Sequence, residues 1–307
     1  MLVSKRTSLL LVGSALHLGA ISIAQAATDC NAVTEISPAE CKSLLELYHS
    51  TNGAHWAKKK GWNVTNKPCS WKGISCKDDS VTEISLKSNQ LIGTIPNFSA
   101  LPKLRKLNLK SNQLTGTIPN FSLPQLKKIN LNANQLTGTI PNFSLPKLEE
   151  LRLSSNHLTG TIPNFSLPEL EELNLSSNQL TGNIPNFSAL PQLEKLNLSS
   201  NRLTSTIPDL SALSDLETLN LYNNQLTGTI PNFILPELET LSLNSNQLTG
   251  TIPNFNALPE LEKLYLDSNQ LTGAIPNFSA LSDLEELYLH DNQLTGTVPN
   301  LKKSKKN

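Results

Sequence analysis

"LTGTIPNFSLPKLEELRLSSNHLTGTIPNFSLPELEELNLSSNQLTG", from Leu136 to Gly182, says nearly the same thing twice. The frame beneath it, L-x-x-L-x-L-x-x-N-x-L, recurs ten times, with its asparagine at Asn89, Asn112, Asn134, Asn156, Asn178, Asn201, Asn224, Asn246, Asn269 and Asn292. These positions advance by 22 or 23 residues, because the segment between them reads either F-S-L-P or F-S-A-L-P. A period of this length marks stacked coils, each of which needs its neighbours to bury its apolar residues.

The frame fixes the geometry of one coil. In Leu104, Leu107 and Leu109 the alternation L-x-L is a strand's period of two, with leucines inward and the intervening residues outward. Each coil supplies one short strand, and stacking pairs these strands about 4.8 Å apart into a parallel sheet. Ile118, Phe121 and Leu123 turn inward from the return segment, while Pro119 removes a donor and favours an extended path over a helix. The repeated asparagine fits a ladder of amides that satisfies backbone groups of adjacent coils. Frame and period together are those of a leucine-rich repeat solenoid.

The L-T-G-T-I-P that follows half of the asparagines, with close variants after the rest, resembles the plant-type leucine-rich repeats of receptor ectodomains and polygalacturonase inhibitors, from Val81 to about Asn300. That resemblance implies a second short strand in each coil. "ECKSLLELYHSTNGAHW" and "PCSWKGISC" resemble the matching N-terminal cap, and also the caps of secreted bacterial proteins with this repeat. The expected fold is an α/β solenoid: a leucine-rich repeat superhelix of ten coils with a parallel concave β-sheet, mostly irregular return segments and a helical N-terminal cap. One departure is visible. Relatives of this type end in a cysteine-bearing cap, whereas this chain runs through "LTGTVPN" into the basic "LKKSKKN".

Four segments follow: a signal peptide over 1–26, the cap over 27–80, the repeats over 81–300 and a basic tail over 301–307. Lys5 and Arg6, the apolar run from Leu9 to Ile23 and Ala24-Gln25-Ala26 have the order of a cleavable secretory signal. No other stretch approaches a membrane span, so the expected location is secreted or periplasmic. Cys30, Cys41, Cys69 and Cys76 all lie in the cap, and an oxidising compartment favours two disulfides over a zinc site. Three pairings are open to them, of which the two short loops, Cys30–Cys41 and Cys69–Cys76, are preferred.

Function must be written on outward positions, because inward ones are fixed by packing. The concave face is basic in its first coils, at Lys87, Arg105, Lys106, Lys110, Lys127 and Lys128, and glutamates take over from Glu149 onward. Aromatics appear late: the chain has four tyrosines, and Tyr222, Tyr265 and Tyr288 lie on this face. With Asp267 and His290 they form the candidate ligand-binding set, since tyrosine on a rigid sheet is a good anchor. The partner expected there is a protein, peptide or glycan; no nucleic acid, cofactor or metal is indicated. Asp267 beside His290 and Asp291 is the best constellation for catalysis, but an open sheet has no pocket to desolvate it, so the expectation is a non-enzymatic scaffold.

Two alternatives come from resemblance. One is inhibition of a secreted polysaccharide-degrading enzyme, as in the plant polygalacturonase inhibitors. The other is ice binding, because Thr137-x-Thr139, Thr159-x-Thr161, Thr249-x-Thr251 and their counterparts resemble the threonine arrays of ice-binding solenoids. Asn183, Ser205 and Ala274 interrupt that array, and threonine also suits a short strand. The N-F-S sequons at Asn97, Asn120, Asn142, Asn164, Asn186 and Asn277 are by-products of the repeat.

Overall fold

The computed structural model describes residues 27–297, so the signal-peptide and basic-tail segments lie outside the described residues. Helix α1 (Pro38–Ser50) starts with a capping box: Ser37 Oγ accepts from Glu40 N–H, and the Glu40 carboxylate accepts from Ser37 N–H, both at 3.2 Å. Glu40 is itself buried, because its other oxygen accepts from Ser80 Oγ (2.6 Å) and Val81 N–H (3.0 Å) and so ties the helix to the first coil. Trp56, Trp62 and Trp71 fill the cap beside Tyr48, and each indole N–H finds an acceptor: Thr51 O, Lys72 O and Thr65 Oγ1. Disulfides join Cys30 to Cys41 and Cys69 to Cys76.

Strand Ile74–Lys77 pairs antiparallel with Ser80–Ser85, and from there the chain lays down one parallel strand per coil to complete an eleven-stranded sheet ending at Glu286–Tyr288. The register is constant. Leu107 faces Ile129, Leu151 faces Leu173, and Leu264 faces Leu287, so inward residues of every coil form a continuous apolar column. On the return side Phe98, Phe121 and Phe143 stack with centroids 6.1 Å apart. The return segments contain no helix among the described residues.

The asparagine ladder closes the polar accounts of this core. Asn156 Nδ2 donates to Leu153 O of its own coil and to Leu131 O of the preceding one, both at 3.1 Å, while its Oδ1 accepts from Leu136 N–H at 3.0 Å. The same triple recurs at Asn134, Asn178 and Asn224. Each amide thus joins two coils and supplies partners to buried backbone groups at that turn.

The L-T-G-T segment forms a second, flanking set of short strands, including the four-stranded run Thr227–Thr229, Gln247–Gly250, Gln270–Ala274 and Gln293–Thr295. Its composition is an interlock between coils. The first threonine donates its hydroxyl to the glycine carbonyl of the preceding coil, as from Thr137 to Gly116 O at 3.3 Å. The second threonine lays its methyl over the next coil's glycine: a Cβ on Gly138 would come within 2.8 Å of Thr117 Cγ2, and Gly138 has φ +77°. Glycine is required there on both counts.

Candidate binding face

The outward residues of the concave strands stand in columns, one residue per coil. Tyr265 and Tyr288 are direct partners in the sheet register, with ring centroids 5.2 Å apart and planes 26° from parallel. Two residues further along lies a second column: Tyr222, Asn244, Asp267 and His290. Within it Asn244 Nδ2 reaches Asp267 Oδ2 at 3.4 Å, and His290 Nε2 lies 3.8 Å from the same oxygen. Tyr288 also meets the His290 ring edge-on, at a centroid distance of 6.2 Å. Four of the expected residues therefore form one contiguous group. Tyr222 does not touch it: that side chain stands exposed two coils before Asp267, about 10 Å away by strand spacing.

Glu286 and Lys263 belong to the group as well. Tyr265 O–H donates to Glu286 Oε2 at 2.5 Å, and Lys263 Nζ approaches Glu286 Oε1 at 3.2 Å. Burial against the neighbouring ring and then the bond to Glu286 push the Tyr265 phenol up to about 12. The Tyr265 bond, followed by Lys263, holds the Glu286 carboxyl below its usual range. Lys263 is correspondingly raised by Glu286. A carboxylate at that position is readable in "LEELYLH", but its hold on a tyrosine one coil earlier depends on the register, which brings residues 21 apart into contact.

This arrangement suits contact rather than bond-making. Tyr288 is 45% exposed and Tyr222 40%, whereas Tyr265 is half-buried beneath its neighbour with its hydroxyl already engaged. His290 lies 3.8 Å from Asp267 and 3.9 Å from Asp291, too long for hydrogen bonds. No group of three or more His, Cys, Asp or Glu side chains converges on a metal-sized site among the described residues. A shallow cleft of about 310 Å³ lies beside the tyrosines at the last coil, lined by Ile275, Leu287, Tyr288, Leu289, His290 and Leu294. Among the described residues no helix is long and apolar enough to cross a membrane.

Residues 37–77 match the leucine rich repeat N-terminal domain, and residues 102–145, 146–189, 168–212, 191–235, 236–279 and 259–303 match the two-copy leucine rich repeat model. A probable leucine-rich repeat receptor-like protein kinase of Arabidopsis thaliana is 40% identical over 50 residues, 16% of this chain and 8% of the relative. A second Arabidopsis receptor-like serine/threonine kinase is 53% identical over 38 residues, 12% of this chain and 5% of the relative. The chain therefore spans less than a tenth of the curated relatives it matches. Among solved structures, PEPR1–AtPEP1 gives a TM-score of 0.73 at 28% identity, over 85% of this chain and 42% of that one. The Arabidopsis receptor kinase HAESA, in complex with the peptide hormone IDA and the co-receptor SERK1, gives 0.57 at 29% identity over 83% and 54%. A plant ice-binding protein gives 0.77 at 28% identity and covers 87% of this chain and 91% of its own. With capped coils, an amide ladder and family matches over most of its length, this chain belongs to the leucine-rich repeat proteins.

Proposed function

We propose that this protein is a secreted or periplasmic, non-enzymatic recognition scaffold that binds a protein or peptide on the C-terminal half of its concave face. The observation that carries the reading is the Tyr265–Tyr288 stack, flanked by Asp267 and His290 and held on strands whose register is fixed by the core. Anchors that are already ordered lose little entropy on binding, and tyrosine offers apolar area together with a hydroxyl. HAESA, whose repeats share this architecture, was solved with a peptide hormone. A glycan is the other ligand class that a tyrosine platform with polar neighbours accommodates.

Recovery of a partner from extracellular material on the immobilised protein, followed by titration, tests the reading. Replacing Tyr265 and Tyr288 together by alanine should leave the fold intact and weaken binding by about 2 kcal/mol or more. Unaltered affinity in that variant, with binding lost instead on Lys106 and Lys128 substitution, refutes it.

Ice binding is the second reading, favoured by the coverage of the ice-binding neighbour and by one surface feature. The second threonines, among them Thr117, Thr139, Thr161, Thr229 and Thr251, form an exposed column along the flank of the coils. The first threonines are less suited, because hydroxyls such as those of Thr137 and Thr159 already serve the preceding coil's carbonyl. Thermal hysteresis that persists in the Tyr265/Tyr288 double variant but falls on Thr139→Val and Thr161→Val replacement would select this reading.

A further inference from the structure

The opposite end of the concave face carries a cleft that the tyrosine site does not use. It measures about 270 Å³ and is lined by Lys58, Lys72, Gly73, Ser85, Leu86, Lys87 and Asn89, three lysines from three separate segments. Its walls are fixed by backbone. Lys58 N–H donates to Asn89 Oδ1 at 2.5 Å and Asn89 Nδ2 returns a bond to Lys58 O at 3.2 Å, so the first rung of the amide ladder holds the cap loop against the first coil. Lys72 N–H donates to Lys60 O at 2.9 Å, and Lys72 O accepts from the Trp62 indole at 2.9 Å. Gly73 lets the cap hairpin approach the first coil, since a Cβ there would meet Ser85 O at 2.4 Å.

The charge in this cleft is not spent internally. Lys106 pairs with Glu83, Lys127 with Glu149 and Lys128 with Glu150, but among the described residues Lys58, Lys72, Lys87 and Lys110 enter no ion pair. All four are exposed. They belong to a wider field: residues 27–148 hold 15 Lys and Arg against 7 Asp and Glu, a net of +8, whereas residues 149–297 hold 4 against 18, a net of −14. A formal charge of zero for the whole chain conceals this separation. Fields of this kind concentrate counter-charged ligands at one end of a molecule.

We propose that the cleft between cap and first coil binds an acidic polysaccharide, whose carboxylate or sulfate groups engage Lys58, Lys72 and Lys87 and continue toward Lys110 in the next coil. A repeating anion matches cations presented at successive strands better than one compact anion does, because Lys87 and Lys110 lie in adjacent coils. Single-stranded nucleic acid is the weaker fit. Its bases need exposed aromatic platforms, and at this end Trp56, Trp62 and Trp71 are buried in the cap with Tyr48 half-buried against them. The site lies beyond the tyrosine group and does not depend on it.

The test measures binding of the protein at low ionic strength to polygalacturonate, dextran sulfate, neutral dextran and a single-stranded oligonucleotide of comparable length. Binding to either or both charged glycans, lost in high salt and absent with neutral dextran, is expected; the two charged arms separate carboxylate from sulfate recognition. The triple variant Lys58→Gln, Lys72→Gln, Lys87→Gln should lose about tenfold or more in affinity. The control Lys42→Gln, Lys77→Gln, Lys103→Gln removes equal charge from exposed positions outside the cleft and should lose far less, and the Tyr265/Tyr288 double variant should bind as the parent does. Equal losses in both triple variants would reduce the effect to net charge and overturn the site. Tighter binding of the oligonucleotide, or no binding to either charged glycan, would overturn the ligand class.

Discussion

Replacing Asn156 by alanine should cost far more than one surface amide would suggest. The residue is 5% exposed and its side chain makes four bonds between coils or across its own turn: to Leu131 O, Leu153 O and Ser154 O, and from Leu136 N–H. Alanine orphans the Leu136 N–H, whereas Leu131 O keeps the Asn134 amide and Leu153 O keeps the Asn178 amide, so each of those carbonyls loses one of two donors. An unsatisfied buried N–H costs about 1 to 3 kcal/mol and each bond lost at a carbonyl that keeps another donor about 0.5 to 1.5 kcal/mol, and partial relaxation of the turn recovers some of this, so a loss of about 2 to 4 kcal/mol is expected. Asn292 provides the contrast. It makes corresponding bonds to Leu266 O, Leu289 O and Leu271 N–H, but it is only half-buried at the last coil, so Asn292→Ala should cost under about 2 kcal/mol. Urea unfolding followed by far-ultraviolet circular dichroism measures both. Equal losses at the two positions, or a loss below about 1 kcal/mol at Asn156, would refute the ladder as the source of this cost.

Ser205 stands where other coils have glycine and holds φ 75°, so Ser205→Gly should raise stability by roughly 1 kcal/mol, read as a higher unfolding midpoint; no gain would mean the strain is already relieved locally. The Tyr265 phenol should ionise near pH 12 rather than 10 in an ultraviolet titration, and Glu286→Gln should lower that value only part of the way, because burial is the larger cause. An unfolded phenol loses its proton first, so native stability falls between pH 10 and 12, and a flat profile there would contradict the shift. Reducing the Cys30–Cys41 and Cys69–Cys76 bridges should cost about 2 to 3 kcal/mol each by loop closure, measured as a lower melting temperature in reductant.

The repeat made the fold legible because each core position is stated many times. Leu107, Leu151 and Leu264 could be placed inward from sequence, and the register confirms that they share one column. The role of the ladder asparagines was legible for the same reason. What the string did not expose was how far a row of contacts runs along one column. Asp267 beside His290 was readable from the repeat, and the two lie 3.8 Å apart, but Asn244 completes their row and nothing in "LSLNSNQ" marks that residue as part of a site. The offset of Tyr222 was legible, since the repeat sets it two residues further along its strand than Tyr265 and Tyr288. It belongs to the other column and stands apart from their stack. The cleft at Lys58, Lys72 and Lys87 was least visible, because its three lysines come from the cap loop, the cap hairpin and the first coil.

A solenoid separates these two kinds of information physically. Inward positions act between nearest neighbours only, so Leu151 is constrained by Leu173 and Ile129 but not by Leu264. Outward positions carry no packing constraint, and their charge can drift along the axis without disturbing the core. The column that begins Arg105, Lys127 and continues Glu149, Glu171, Glu194, Glu217, Glu239, Glu262, Glu285 shows the result: one structural position changes sign at the fourth coil and keeps the new sign to the last. Like charges one strand apart repel, and Glu171 registers this, its carboxyl raised first by burial and then by Glu149 and Glu194. An acidic run kept over seven coils despite that repulsion leaves cationic ligands favoured at the tyrosine end and anionic ones at the cap. A partner long enough to span both ends would therefore be read in one orientation, its acidic part toward Lys87 and its basic part toward Tyr288.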